Sequence, residues 1–148
     1  MSNTVYVLNG PNLNLLGLRE PDTYGAETYD ALIARVTAYA ATHDIALDAK
    51  QSNHEGELIT WIQEAHAVYD GIIINPAAYT HTSVGIRDAL LAVGLPVVEV
   101  HISNIYERED FRHHSYVKDI ASHSIIGKGT DGYVEAVDWF KASANAAH

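Results

Sequence analysis

The sequence predicts a doubly wound α/β fold, with five parallel strands covered by helices on both faces. Three observations lead there. Residues 5–8, 71–74 and 96–100 are short apolar runs, interrupted only by Glu99 in the last, the pattern of strands buried on both sides. The segments between them carry apolar residues at helical spacing. A length of 148 residues with 47% hydrophobic side chains suits one domain with a substantial core rather than two.

Taken in order, the first strand at 5–8 leads through a long polar loop to a helix marked by Leu32, Val36, Tyr39 and Ala40. A weaker run at 45–49 reads as an edge strand, followed by a helix over Leu58, Trp61, Ile62, Ala65 and Tyr69. The strand at 71–74 precedes a helix carrying Val84, Ala89, Leu90 and Val93, and the strand at 96–100 precedes a loop. A last strand at 124–127 feeds a helix over Tyr133, Val137 and Phe140, with an Ala-rich tail after Lys141 that is expected to fray. No repeat, low-complexity tract or linker interrupts the alternation, so residues 1–148 read as a single domain. The arrangement is a three-layer αβα, flavodoxin-like sheet, which binds ligands beyond the carboxyl ends of its strands where strand order switches. Polar residues after the first, third and fourth strands should therefore meet: Asn9 and Asn12, Asn75 and His81, His101 and Ser103.

Composition narrows the partners. A net charge of −10 with nine Lys plus Arg argues against nucleic acid and against an anionic membrane surface. No apolar segment approaches the ~20 residues of a membrane span, and Met1 leads into polar residues rather than a signal core, so a cytoplasmic location is expected. The absence of cysteine removes disulfides, a thiolate nucleophile and the usual structural zinc sites.

The first loop, NGPNLNLLGLREPDTYG at 9–25, has neither GxGxxG nor GxxxxGK[ST] spacing, so it is not a phosphate cradle. It instead supplies one wall of a pocket for a small polar ligand. Glu99 and His101 lie two apart on a strand and share a face, so the carboxylate can orient the imidazole and stabilise its charged form. That is a general acid or base arrangement, set against the plainer reading of a strand-end charge beside a buried histidine. Metal chemistry competes through His81, His101, His113 and His114, but adjacent His113 and His114 diverge on any regular element and no HxxxH or carboxylate cluster accompanies them. Arg19 and Tyr24 fall in a Gly- and Pro-containing loop that suits a lid. Ionising a Tyr at pH 7 costs ~4 kcal/mol. One cation at ~4 Å contributes about that much at an effective dielectric near 20, so Arg19 can make Tyr24 a workable base. Arg112 can hold an oxygen-rich substrate. A GxSxG elbow is absent, and Schiff-base chemistry would want a strand-end lysine, whereas Lys50, Lys118, Lys128 and Lys141, the only lysines, belong to none of the dense motifs.

With these residues in view the chain resembles the type II 3-dehydroquinate dehydratases of the shikimate pathway. The likeness rests on NGPNLNLLGLREPDTYG, on QSNHEGELITWIQEA at 51–65, on INPAAYTHTSVGIRDAL at 74–90 and on EVHISNIYEREDFRHHS at 99–115. It implies a hydro-lyase of aromatic amino acid and chorismate biosynthesis that works without cofactor or metal. Water is lost from 3-dehydroquinate by anti elimination through an enolate, giving 3-dehydroshikimate. The resemblance implies that Tyr24 takes the C2 proton with Arg19 lowering its pKa, that Asn12 holds a water at the enolate oxygen, and that His101, oriented by Glu99, protonates the departing C1 hydroxyl. It further implies that Asn75, His81 and Arg112 contact ring hydroxyls and that Ile102 and Ser103 receive the carboxylate. Asp88 would reach in from a neighbouring subunit of a homododecamer built from trimers. Four departures stand out: Ala77 where Gly is frequent, Gly85 where Ala is frequent, and polar His123 and Ser124 where the family is more apolar. A flavin- or nucleotide-binding module on the same fold is the alternative; an acidic protein-interaction domain explains none of the rim residues.

Overall fold

The computed structural model describes residues 3–18 and 26–146. Five strands form one parallel sheet: β1 (Asn3–Asn9), β2 (Ile45–Gln51), β3 (Gly71–Asn75), β4 (Val97–His101) and β5 (His123–Ile126), in the order β2-β1-β3-β4-β5. Among the described residues four α-helices accompany them: α1 (Tyr29–Ala41), α2 (Glu55–Ala65), α3 (Val84–Val93) and α4 (Asp131–Ala146). This is the flavodoxin-like order, and it reverses direction between β1 and β3.

Alternation along the central strands divides the core in two. Val5, Val7, Ile73, Val98 and Val100 face α1 and α4, where Leu32, Val36, Val137 and Phe140 cover them. Tyr6, Leu8, Ile72, Ile74 and Val97 face α2 and α3, meeting Leu58, Ile62, Ile86 and Leu90. The strands read as continuous apolar runs because both faces are covered. Edge strand β2 instead alternates along its length, as its weaker apolar run suggests. Side-chain caps start two helices: Thr28 Oγ1 accepts from Ala31 N at 3.1 Å and Ser83 Oγ from Ile86 N at 2.9 Å, each worth about 1 kcal/mol.

Three readings differ from the structure. The helical pattern that takes in Tyr69 ends earlier, at Ala65, because Ala67 is left-handed at φ 68°; Tyr69 turns to stack on Tyr6 with ring centroids 4.2 Å apart. The segment after Lys141, read as a tail beyond the last helix, belongs to α4 as far as Ala146. Asn9 belongs to β1 itself and is fully buried, so it does not stand on the rim.

Candidate active site

The ends of β1, β3 and β4 enclose a cavity of about 180 Å³. Its wall includes Asn12, Asn75, His81, His101, Ile102, Ser103 and Arg112, seven residues separated by up to a hundred positions in the chain. Leu13, Leu16 and Ile105 supply apolar surface, and Arg108 adds a second guanidinium.

The first loop is pressed into place by backbone. Gly10 N donates to Asn75 O at 2.8 Å, and a Cβ on Gly10 would lie 2.3 Å from Pro76 O. Only glycine allows that approach. The end of β2 and the segment after it brace the same loop: Gln51 Nε2 donates to Gly10 O at 3.1 Å, and Asn12 N donates to Asn53 Oδ1 at 3.0 Å. Asn12 itself is left-handed at φ 71°, a conformation asparagine tolerates better than most residues.

Asn75 is held from below. Its Oδ1 accepts from Ala77 N at 3.1 Å and its Nδ2 donates to Tyr133 Oη at 3.0 Å. The Tyr133 hydroxyl donates in turn to Asn9 Oδ1 at 2.6 Å, while Asn9 Nδ2 donates to Tyr29 Oη at 3.3 Å. Burial raises the Tyr133 phenol pKa well above its ordinary value, so it stays a neutral donor. One Nδ2 hydrogen and one Oδ1 lone pair of Asn75 remain for a ligand.

A histidine–carboxylate pair stands on β4. His101 Nε2 lies 2.7 Å from Glu99 Oε2, and the carboxylate is fully buried. A carboxylate only accepts, so Nε2 carries a proton and the ring presents Nδ1 on its other edge. Burial by itself would push the Glu99 carboxyl up. The hydrogen bond and charge of His101, with the hydroxyls of Ser115 and Ser124, outweigh it and hold the group below its ordinary value. His81 is set the opposite way. Its Nδ1 donates to His114 O at 2.8 Å. Burial, reinforced by the nearby charges of His101, Arg112 and Arg108, lowers its pKa, which leaves neutral Nε2 as an acceptor. Two imidazoles with opposite hydrogen-bonding roles at Nε2 and two guanidiniums thus share one small space.

The profile of the family described as Dehydroquinase class II matches residues 3–141. The chain belongs to the class II dehydroquinases. It is similar to the "3-dehydroquinate dehydratase 2" of Pseudomonas aeruginosa, 54% identical over 99% of both chains, and to a "Catabolic 3-dehydroquinase" of Aspergillus clavatus, 52% identical over 93% of this chain and 92% of that one. Among solved structures it resembles the type II dehydroquinase of Propionibacterium acnes, with a TM-score of 0.92 and 42% identity over 96% of this chain and 98% of that one. These relatives carry the name of the dehydratase and not of a flavin- or nucleotide-binding module, so that alternative has no support.

Against this dehydroquinase fold the other sequence readings sort clearly. Arg19 and Tyr24 lie outside the described residues. Asp88 stands exposed on α3, away from the cavity wall. His113 and His114 diverge: His113 Nε2 meets Arg108 O at 3.1 Å, whereas the His114 ring packs edge-on against Tyr116. Ala77 adopts φ 53°, in the left-handed region that favours glycine. A Cβ on Gly85 would sit 2.9 Å from Ile59 Cδ1, the far end of a flexible side chain. Arg108 and Tyr133 were not singled out. Arg108 has a signal, since it lies in the same motif as Arg112; Tyr133 reads as an ordinary helix core position, and nothing marks its hydroxyl.

Proposed function

We propose that this class II dehydroquinase acts as a single catalytic domain that eliminates water from 3-dehydroquinate to give 3-dehydroshikimate, with His101 as the acid. The observation that carries the reading is the paired imidazole: Nε2 is taken by Glu99 at 2.7 Å, and the ring lines a cavity shared with Asn12, Asn75, His81 and Arg112. As imidazolium His101 donates from Nδ1 to the C1 hydroxyl, the C1–O bond breaks and water departs. The C2–H electrons form the new double bond by way of an enolate, and the C2 proton goes to the base.

Tyr24, with Arg19 favouring its anion, is that base, and a water held by Asn12 meets the enolate oxygen. Neutral Nε2 of His81 accepts from a ring hydroxyl, Asn75 offers its remaining hydrogen and lone pair, and Arg112 donates. The substrate carboxylate falls to the backbone N–H of Ile102 and to Ser103, in the field of Arg108 and Arg112. Exposed Asp88 serves a site only when another subunit covers it, which favours a homo-oligomer, a dodecamer in its complete form. Among the described residues no helix is long and apolar enough to cross a membrane, in keeping with a cytoplasmic enzyme.

Replacement of the acid tests the reading. General acid help is worth about 10²–10⁴-fold, so His101→Ala should lower kcat by roughly that factor, and Glu99→Gln should lower it less because the imidazole remains. A His101→Ala enzyme with parental kcat and only a raised KM would make His101 a binding group and overturn the proposal.

A further inference from the structure

Glu99 has more hydrogen bonds than the orientation of one imidazole requires. Its Oε2 receives His101 Nε2 at 2.7 Å and Ser115 Oγ at 2.6 Å, and its Oε1 receives Ser124 Oγ at 2.8 Å. The two serines differ in kind. Ser115 Oγ also accepts the N–H groups of Val117 and Lys118, both at 3.1 Å, so it shapes a turn and braces the carboxylate together. Ser124 stands directly beside Glu99 in the register of β4 and β5. Among the described residues it is the one donor to Oε1.

We propose that Ser124 is a positioning residue for the elimination: by occupying Oε1 its hydroxyl keeps the buried Glu99 carboxylate fixed in plane and ionised, so that the proton of the pair rests on His101. The inference rests on reading His101 as the acid. A buried carboxylate oxygen without a donor either turns to find one or becomes more basic. A more basic carboxylate draws the shared proton toward itself, and because the two groups titrate together, the pair as a whole releases that proton at higher pH. Loss of the Ser124 hydroxyl should therefore make His101 a poorer donor and move the alkaline limb of activity upward. The other charges near the pair are unchanged by that loss: Lys118, which feels the Glu99 charge; His81, which feels His101; and Arg108 and Arg112 on the cavity wall. The adjacent strands add none at these positions, with Ile74 beside Glu99 and Ile126 beside His101.

Ser124→Val and Ser124→Thr share a shape and differ in the hydroxyl, so the kcat–pH profiles of the two full-length enzymes with 3-dehydroquinate isolate its effect. Ser124→Val should lower kcat about three- to tenfold and raise the alkaline limb by about half a pH unit, and Ser124→Thr should restore both. Ser124→Ala gives the same reading should the Val enzyme fail to fold by circular dichroism. An alkaline limb left in place, with or without a fall in kcat, would mean that the hydroxyl only packs and would overturn the inference; so would a Thr enzyme that restores neither value. His101→Ala measured alongside keeps the two claims apart. If it retains the limb, the acid is not His101 and the reading underneath fails; if it loses the limb while Ser124→Val does not move it, only the role of Ser124 fails.

Discussion

Gly10→Ala offers a test of how closely the walls of the cavity are set. The added Cβ would lie 2.3 Å from Pro76 O and 2.6 Å from Pro76 C, both backbone atoms, whereas real Cβ contacts essentially never fall below 3.0 Å. No side chain can swing aside, so the loop after β1 must move away from the loop after β3. Overpacking of this kind costs about 1–3 kcal/mol. Parting the loops also stretches the 2.8 Å bond from Gly10 N to Asn75 O, worth about 1 kcal/mol. A stability loss of about 2–4 kcal/mol follows, read as a lowered midpoint in urea at constant slope. Asn12 and Asn75 ride on the two loops that separate, and misplacement of about 1 Å costs on the order of 10²-fold in rate, so kcat/KM for 3-dehydroquinate should fall by that order. An alanine enzyme within ~0.5 kcal/mol of the parent, with parental kcat/KM, would show slack between the loops and refute the reasoning.

Ala77→Gly should stabilise the fold. The left-handed φ of 53° at Ala77 costs about 1–2 kcal/mol, from which the extra chain entropy of glycine removes about 0.5–1 kcal/mol; a thermal midpoint below the parent's would contradict this. Tyr133→Phe leaves Asn9 Oδ1 and Asn75 Nδ2 without the partners they have at 2.6 and 3.0 Å, so denaturant unfolding should show a loss of about 1–3 kcal/mol together with a raised KM, and an unchanged KM would free Asn75 from its dependence on Tyr133. Because the folded pKa of His81 lies below the ordinary value of 6.5, the unfolded chain binds more protons between the two values. His81 therefore contributes a loss of stability as pH falls through 6.5 toward its folded pKa, and KM should rise once its Nε2 is protonated; His81→Gln should flatten both trends, and identical pH profiles of parent and variant would refute the assignment.

The fold was legible because β1, β3 and β4 are buried on both faces and so appear as largely apolar runs, while the carboxyl-end rule places the residues after them together. Asn12, Asn75, His81 and His101 follow from that rule without any partner being visible in the sequence. The pairing of Glu99 with His101 was legible too, since a spacing of two on a strand fixes a shared face. Contacts set by the third dimension were hidden. Tyr133 lies 58 residues from the Asn75 it holds, and helical periodicity records only that it faces the core. Ser124 reaches Glu99 across 25 residues, through a strand register that no pattern in β5 announces. The end of α2 was missed because Ala67, an ordinary helix former, takes a left-handed φ of 68°. Asn9 was misplaced because its polarity suggested a rim, whereas a hydrogen-bonded network with Tyr29 and Tyr133 lets it be buried.

The central claim is direct acid–base elimination by this chain, without a covalent imine. None of the four lysines lines the cavity among the described residues, so no imine is available to sodium borohydride. The deciding measurement follows the ultraviolet absorbance of the conjugated enone as the purified protein acts on 3-dehydroquinate, before and after incubation with substrate and borohydride. The account predicts that enone forms and that the rate survives the borohydride treatment. Absence of enone, or inactivation with a lysine adduct found by mass spectrometry, would contradict it.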